Sequence, residues 1–344
     1  MELKASPENV FEWLALRLRL VPLPLLHGQM FPVIARAVLL AADKGIFHAV
    51  EAGSETVEAV AAACGLQPVP VRQLLSLLAS TGYLTHKNGH YRLSSMARKW
   101  VGAMSPSDLS DLLIYNSRVV WKWMDHLESY LETGKGIDYH RNFGDEEWDL
   151  YQKAMRAVAV SEVKEFARNC PVPRQARRML DIGGAHGLHV RALLERHPGL
   201  NADILDLPGA LKAQQYAGDE AITMIPGNIL ETDLGAGRYD LVVMSSLAHH
   251  FSSDENRRIA GKVAEALNPG GVYVVNEFVN PGEGGSGGGL VGTSSSLFFG
   301  LTSASGTWTV AETQDWQQQA GLKPLKVTGY RAIPGRFLIA ARKE

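Results

Sequence analysis

Residues Asp181, Ile182, Gly183, Gly184, Ala185, His186 and Gly187 follow directly on the apolar pair Met179–Leu180. The three glycines predict a tight turn between a strand over 178–182 and a helix over 188–197. A strand, a glycine turn and a helix bring backbone amides and a helix N-terminus close to a ligand. Asp181 narrows the choice of ligand. A carboxylate two residues before the first glycine repels a phosphate and pairs well with an ammonium group. That favours S-adenosylmethionine (SAM), whose amino acid end carries an ammonium, over a dinucleotide. The dinucleotide pattern G-x-G-x-x-G also fails, because its second and third glycines fall on Ala185 and Leu188.

Three further groups sit at the ends of expected strands. Asp206 ends a strand over 201–206, and an acidic residue there can accept hydrogen bonds from both hydroxyls of a ribose. NAD sites use the same device, so Asp206 supports a nucleoside without choosing the cofactor. Leu207 follows it. Asn228 and Ile229 come after a strand over 221–226, where an amide and an aliphatic side chain suit the edge and face of an adenine. Ser245, Ser246, Leu247, Ala248, His249, His250 and Phe251 come after a strand over 239–245. A histidine at that place can act as a general base, since its unperturbed pKa of about 6.5 suits removal of a hydroxyl proton near neutral pH. Glu277 ends the adjacent strand over 272–277. It can hold the imidazole in one tautomer and stabilise the imidazolium. Spacing alone leaves His249 and His250 both open.

These residues need a sheet to align them. Strands over 178–182, 201–206, 221–226, 239–245, 272–277, 324–330 and 337–343 alternate with helices over 188–197, 209–215, 254–267 and 311–320. The pattern predicts an α/β, Rossmann-like domain over 176–344 with a mostly parallel seven-stranded sheet. Ligands of such sheets bind at the carboxyl ends of the strands, where every candidate above lies.

Residues 1–104 read as a mainly helical domain. Helices are expected over 10–20 and 31–44, then a helix pair over 56–64 and 69–80. A hairpin turning at Asn88–Gly89 follows. This is a winged-helix pattern. Its second helix carries one basic residue, Arg72, which argues against DNA binding. The apolar surface of the N-terminal helices argues for a homodimer instead. Residues 105–175 read as helices over 109–129 and 149–169, a lid. Trp121, Trp123 and Met155 from this lid, with Phe298 and Phe299, are candidate apolar walls for a small aromatic or polyketide-like acceptor.

Composition rules out several classes. The chain has 344 residues, 46% hydrophobic and 20% charged, with a net charge of -2 and no long charge run. That excludes a strongly basic nucleic-acid or membrane surface. The two cysteines, Cys64 and Cys170, are far apart, form no metal-ligand pair and fit a reducing compartment. No metal is expected. Glu2, Glu8 and Glu12 argue against a signal peptide, and no uninterrupted apolar run reaches the ~18 residues of a membrane span. A cytoplasmic location is expected.

At this level the chain resembles the class I SAM-dependent O-methyltransferases with an N-terminal winged-helix dimerisation domain. That family includes plant caffeate-type and bacterial natural-product enzymes. The resemblance spans nearly the whole chain. It rests on residues 181–187, on Leu205–Pro208, on His249, His250 and Phe251 followed by Asp254 and Glu255, on the 268–271 turn into 272–277, and on Thr309 with 320–322. It implies that His249 is the base and Glu277 its partner, and that Asp181, Gly183, Asp206 and Asn228 bind SAM, which leaves as S-adenosylhomocysteine (SAH). Gly184, Gly187, Leu207, Ile229 and Ser245 complete the expected cofactor set. Trp121, Met155, His250, Phe298 and Phe299 are the expected acceptor contacts. The chain departs from plant members at Ala185, Asn228 and Ser245, which replaces a Lys. It also departs at Thr307, which stands where those members carry a second catalytic Glu. Ser252 adds a residue to the histidine segment, and 282–289 is unusually glycine-rich. Alternatives are a SAM-bound cyclase or decarboxylase of the same fold, an N-methyltransferase, and a DNA-binding regulator.

Overall fold

The computed structural model describes residues 9–344 except 19, 138, 140–142, 185, 213–219, 283–288, 304 and 332. Glu2, Glu8, Ala185, residues 213–215 and most of the glycine-rich stretch therefore lie outside it. The chain divides into two units, Glu2–Lys122 and Trp123–Glu344.

In the first unit, Thr56 caps the helix Val57–Cys64 by accepting from the Ala59 amide. Gly65 ends that helix in the left-handed conformation, and Pro68 opens the next, Pro68–Ser80. Strands Leu84–Lys87 (β1) and His90–Leu93 (β2) pair across Asn88–Gly89 as the turn chemistry requires. Ile46, Val60, Leu75 and Leu78 are among the fully buried residues of this core. Arg72 is occupied by Glu58 at 3.3 Å. The helical stretch Leu23–Asp43 is long and apolar enough to cross a membrane by length and composition alone. It also contains Arg36, which donates to the Ser117 carbonyl at 3.0 Å.

The helix expected over 109–129 is broken. Ser110–Tyr115 runs into a π-helical turn, Asn116–Val120, then Trp121–Trp123, a 3₁₀ turn and Leu127–Thr133. The π turn is where Arg36 and Asp43 take hold: Arg118 pairs with Asp43 at 2.6 Å, and the Ser117 hydroxyl donates to it. Trp121 lies beneath the Arg36 guanidinium. These bonds tie the segment up to Lys122 to the first unit, so the stretch 105–175 is shared between the two units.

In the second unit, strands Arg178–Ile182 (β3), Asn201–Asp206 (β4), Ile222–Pro226 (β5), Tyr239–Ser245 (β6), Leu267–Phe278 (β7), Leu322–Pro324 (β8), Thr328–Gly329 (β9) and Arg336–Lys343 (β10) form one sheet. Its order is β5-β4-β3-β6-β7-β10-β8, with β9 also on β10. The first five are parallel and β10 is antiparallel. The fold is Rossmann-like. The single strand expected over 324–330 is two short ones, each paired separately with β10. Leu180, Val242 and Met244 pack on one face of the sheet, and Met179, Leu241 and Val243 on the other. Burial on both faces explains the unbroken apolar runs of these strands.

The chain moves outward from β3 to β4 and β5, then returns to place β6 on the other side of β3. That reversal opens a crevice at the strands' carboxyl ends. The helix Asp145–Asn169 begins four residues ahead of expectation. Three acidic residues in its first turn complement the helix dipole, and Glu147 accepts from the Gly144 amide at 3.1 Å. Its Phe166 is fully buried in the core against the sheet.

Candidate active site

One cavity occupies this crevice. Its walls include Ile182, Gly183, Asp206, Leu207, Asn228, Ile229, Ser245 and Ser246 from the strand ends, and Trp148, Tyr151, Gln152 and Met155 from the helix Asp145–Asn169. His250 and Phe251 complete that side. Asp181, Gly184 and Gly187 are buried and are not among the described lining residues.

Asp181 is fully buried, and neither carboxylate oxygen has a hydrogen-bond partner among the described residues. Burial pushes its pKa up to about 7, helped by Asp206 and opposed by His189. A buried, unpaired carboxylate is costly, and an ammonium is the group that relieves it. Gly184 is needed for the same reason: a Cβ there would stand 2.2 Å from Asp181 Oδ2. At Gly183, φ is +74° and a Cβ would meet Leu247 at 2.9 Å, so the turn admits no side chain. Asp206 Oδ1 accepts from the Leu207 amide at 2.7 Å, which orients the carboxylate at the end of β4. Asn228 Oδ1 caps the Leu230 amide at 3.0 Å. The orphaned carboxylate, the glycine cradle and the acid on β4 fit an adenosyl amino acid.

The two histidines separate clearly. His249 Nδ1 lies 3.0 Å from Glu277 Oε2, and both side chains are 3% exposed. A carboxylate only accepts, so Nδ1 carries a proton, and in the neutral imidazole the lone pair is on Nε2. The Phe278 amide donates to the other Glu277 oxygen at 2.9 Å. Phe299 stacks on His249 with ring centroids 4.0 Å apart, and Phe298 meets Phe299 edge-on. Phe299 therefore packs against His249, and none of His249, Phe298 and Phe299 is among the described lining residues. His250 borders the cavity, 4.2 Å from His249 between centroids.

The turn that carries both, Ala248–His250, is clamped. Asn256 Nδ2 donates to the carbonyls of Ala248 at 3.0 Å and Phe251 at 3.1 Å, and Trp308 Nε1 donates to Ala248 at 3.2 Å. The added Ser252 caps the helix Ser253–Ala266 in a box with Glu255. Thr307 is buried, and its hydroxyl has no hydrogen-bond partner among the described residues. Among the described residues, Glu277 is the carboxylate bonded to His249.

Sequence reasoning missed a charged group at the cavity, where Glu162 and His189 are lining residues. Glu162 from the helix Asp145–Asn169 accepts from His189 at 3.0 Å and pairs with the buried Arg336 of β10. Burial would raise the Glu162 pKa, but Arg336 and His189 outweigh it and hold it below its ordinary value. Arg336 also reaches Asn276 and, at 2.8 Å, the hydroxyl of Ser246. Ser246 is one of two described non-glycine residues with positive φ, at +50°. That strain is held by Arg336 and by the Ser246 amide's bond to Asn276. His186 accepts from the Leu188 amide through Nδ1. Burial and the nearby His189, Arg156 and Arg336 lower its pKa to about 3, so it is neutral. A histidine inside the glycine loop was the available signal; Tyr151, Gln152 and Trp148 gave none beyond helical periodicity.

Fold and cavity together define a SAM-binding methyltransferase. The O-methyltransferase domain family matches residues 126–298, half of the chain, and the protein belongs to that family. It is a SAM-dependent O-methyltransferase. It is 23% identical over 310 residues to 3-hydroxy-5-methyl-1-naphthoate 3-O-methyltransferase of Streptomyces sahachiroi, covering 86% of this chain and 87% of that protein. It is 26% identical to the mitomycin biosynthesis 6-O-methyltransferase of Streptomyces lavendulae, over 68% of this chain and 71% of that one. The structure of human N-acetylserotonin methyltransferase in complex with SAM superimposes with a TM-score of 0.83 at 17% identity, over 99% of each chain.

Proposed function

We propose that the protein methylates a hydroxyl of a small aromatic natural product and that His249 is the general base. The His249–Glu277 pair, next to the cavity-lining His250, carries this reading. Bound SAM supplies a methyl group made electrophilic by its sulfonium, whose C–S electron pair leaves with neutral SAH. The residues do the rest. Asp181 takes the ammonium, Asp206 the ribose hydroxyls, and Asn228 and Ile229 the adenine edge and face. His249 Nε2 accepts the proton of the acceptor hydroxyl as the new O–C bond forms, and Glu277 stabilises the imidazolium. Tyr151 and Met155, on the lid segment 105–175, flank the acceptor. Much of the remaining rate comes from holding oxygen and methyl in line. The named Streptomyces relatives act on a hydroxynaphthoate and on mitomycin precursors, which supports an aromatic or quinone-like acceptor.

The same reading places the protein in the cytoplasm, supported by two free cysteines, and makes it a homodimer. Val10, Phe11, Trp13, Leu18 and Leu20 of the first unit are exposed, an apolar surface that a second copy would cover. The test is transfer of labelled methyl from SAM to a panel of bicyclic phenols and the matching arylamines. Label on phenol oxygen, with equal SAH released, is the expected result. Label on amines alone, or product without SAH, would contradict it.

A further inference from the structure

SAM brings a second charge to the cavity. Its amino acid end is a zwitterion, and Asp181 answers only the ammonium. The carboxylate on the same carbon needs donors of its own. Among the described lining residues there is no Lys or Arg, so these donors must come from other side chains.

Two lining residues, Ser246 and His186, are built as donors. Ser246 Oγ accepts from Arg336 Nη2 at 2.8 Å, and its own proton has no acceptor among the described residues. Arg336 is 1% exposed, and its Nε faces Glu162 and Asn276. A hydroxyl that accepts from a guanidinium is polarised and becomes a stronger donor. The adjacent Ser245 accepts from the Asn276 amide at 3.3 Å, a longer bond without charge. His186 repeats the arrangement. Its Nδ1 accepts from the Leu188 amide at 3.2 Å, so in the neutral imidazole the proton is on Nε2. The ring takes up an amide at the start of the helix Leu188–Arg196 and offers an N–H in its place.

Both donors adjoin the turn that covers Asp181. β3 and β6 are parallel neighbours, with Ile182 opposite Met244. The chain therefore leaves β3 through Gly183–Gly184 alongside Ser245–Ser246, close enough that a Cβ on Gly183 would strike Leu247. His186 is two residues past Gly184, whose missing side chain makes room for the Asp181 carboxylate. Contacts link the two donors from the other side. His186 lies 5.4 Å from His189 between ring centroids, His189 bonds Glu162 at 3.0 Å, Glu162 pairs with Arg336, and Arg336 holds Ser246. Arg336 offsets the charge of Glu162, so a second anion is tolerated here. Ser246 also sits in a left-handed backbone conformation, φ +50°, and strain of that kind gathers at ligand sites.

Resting on the O-methyltransferase reading above, we propose that Ser246 and His186 bind the carboxylate of the cofactor's amino acid end, with Arg336 the positioning residue that orients and polarises the Ser246 hydroxyl. The site then recognises the whole zwitterion, Asp181 the ammonium and this pair the carboxylate.

The test compares SAH with its decarboxylated analogue, 5′-deoxy-5′-(3-aminopropylthio)adenosine, which keeps the adenosine, the thioether and the ammonium. Calorimetric titration of the full chain is expected to show SAH binding about 10- to 100-fold more tightly, the size of hydrogen bonds to a charged group. Ser246→Gly removes the hydroxyl and suits the positive φ. His186→Phe keeps a ring and removes both nitrogens. Each is expected to weaken SAH by about tenfold and to leave the analogue within about threefold of wild type. The variants are independent, so a fold lost in one, read as a lost melting transition, leaves the other to decide. Equal binding of the two ligands by the wild type would overturn the proposal. So would folded variants that weaken both ligands alike or spare SAH. Failure of SAH itself to bind the wild type would instead overturn the methyltransferase reading, and this inference with it.

Discussion

His249→Ala is expected to slow methyl transfer by about a hundredfold or more while leaving SAH affinity within about twofold. The size follows from the role: a positioned base contributes roughly two to four orders of magnitude, and the cofactor contacts assigned to Asp181 and Asp206 are untouched by the change. The pattern across neighbours separates the alternatives. Glu277→Gln removes the carboxylate that fixes Nδ1 as the protonated nitrogen. It permits the tautomer with the proton on Nε2, so it is expected to lose rate as well. His250→Ala removes a wall of the cavity and is expected to cost less than about tenfold in turnover. If His250→Ala abolished turnover and His249→Ala spared it, the base would be the histidine that borders the cavity. Rapid-quench single-turnover rates on one phenolic acceptor read all three.

Asp181→Asn is expected to weaken SAH binding by at least about thirtyfold, because a buried carboxylate that pairs with an ammonium is worth several kcal/mol to a ligand. The pH dependence gives a sharper signature. Burial raises the carboxyl of the ligand-free protein to about 7. Between the unfolded value near 4 and 7, the folded protein holds a proton here that the unfolded chain has lost. The ligand-free protein therefore loses stability as pH rises through that window. Cofactor binding runs the other way, since the ammonium needs the ionised carboxylate and competes with the proton. SAH affinity is expected to fall as pH drops from 8 to 6, approaching tenfold per unit below 7. The Asn variant is expected to lose that slope. A wild-type affinity flat between pH 6 and 8 would refute the pairing.

The residues legible in the sequence share one property: each stands at a strand end that a short run announces. The glycine turn after β3, Asp206 after β4 and Asn228 after β5 fall in register because parallel strands must present their carboxyl ends on one edge. His249 and Glu277 end up bonded for the same reason, β6 and β7 being neighbours. What stayed hidden depends on distant partners. Glu162, His189 and Arg336 come from two helices and the last strand, and no spacing links them. Tyr151 reads as one more helical residue until Tyr139, Phe143 and Trp148 are placed around its ring. The π turn at Asn116–Val120 was equally invisible, since the side chains that hold it reach from the helix Phe31–Asp43. Phe298 and Phe299 carry the right chemistry for a cavity wall, yet Phe299 packs against His249 and Phe298 against Phe299.

A crystal structure of the protein with SAH tests the central claim most directly. The account expects the ammonium on Asp181, the ribose hydroxyls on Asp206, and the thioether sulfur turned toward the side of the cavity bordered by His250, next to His249. SAH bound with its sulfur facing away from His249, or with no contact to Asp181, would contradict it.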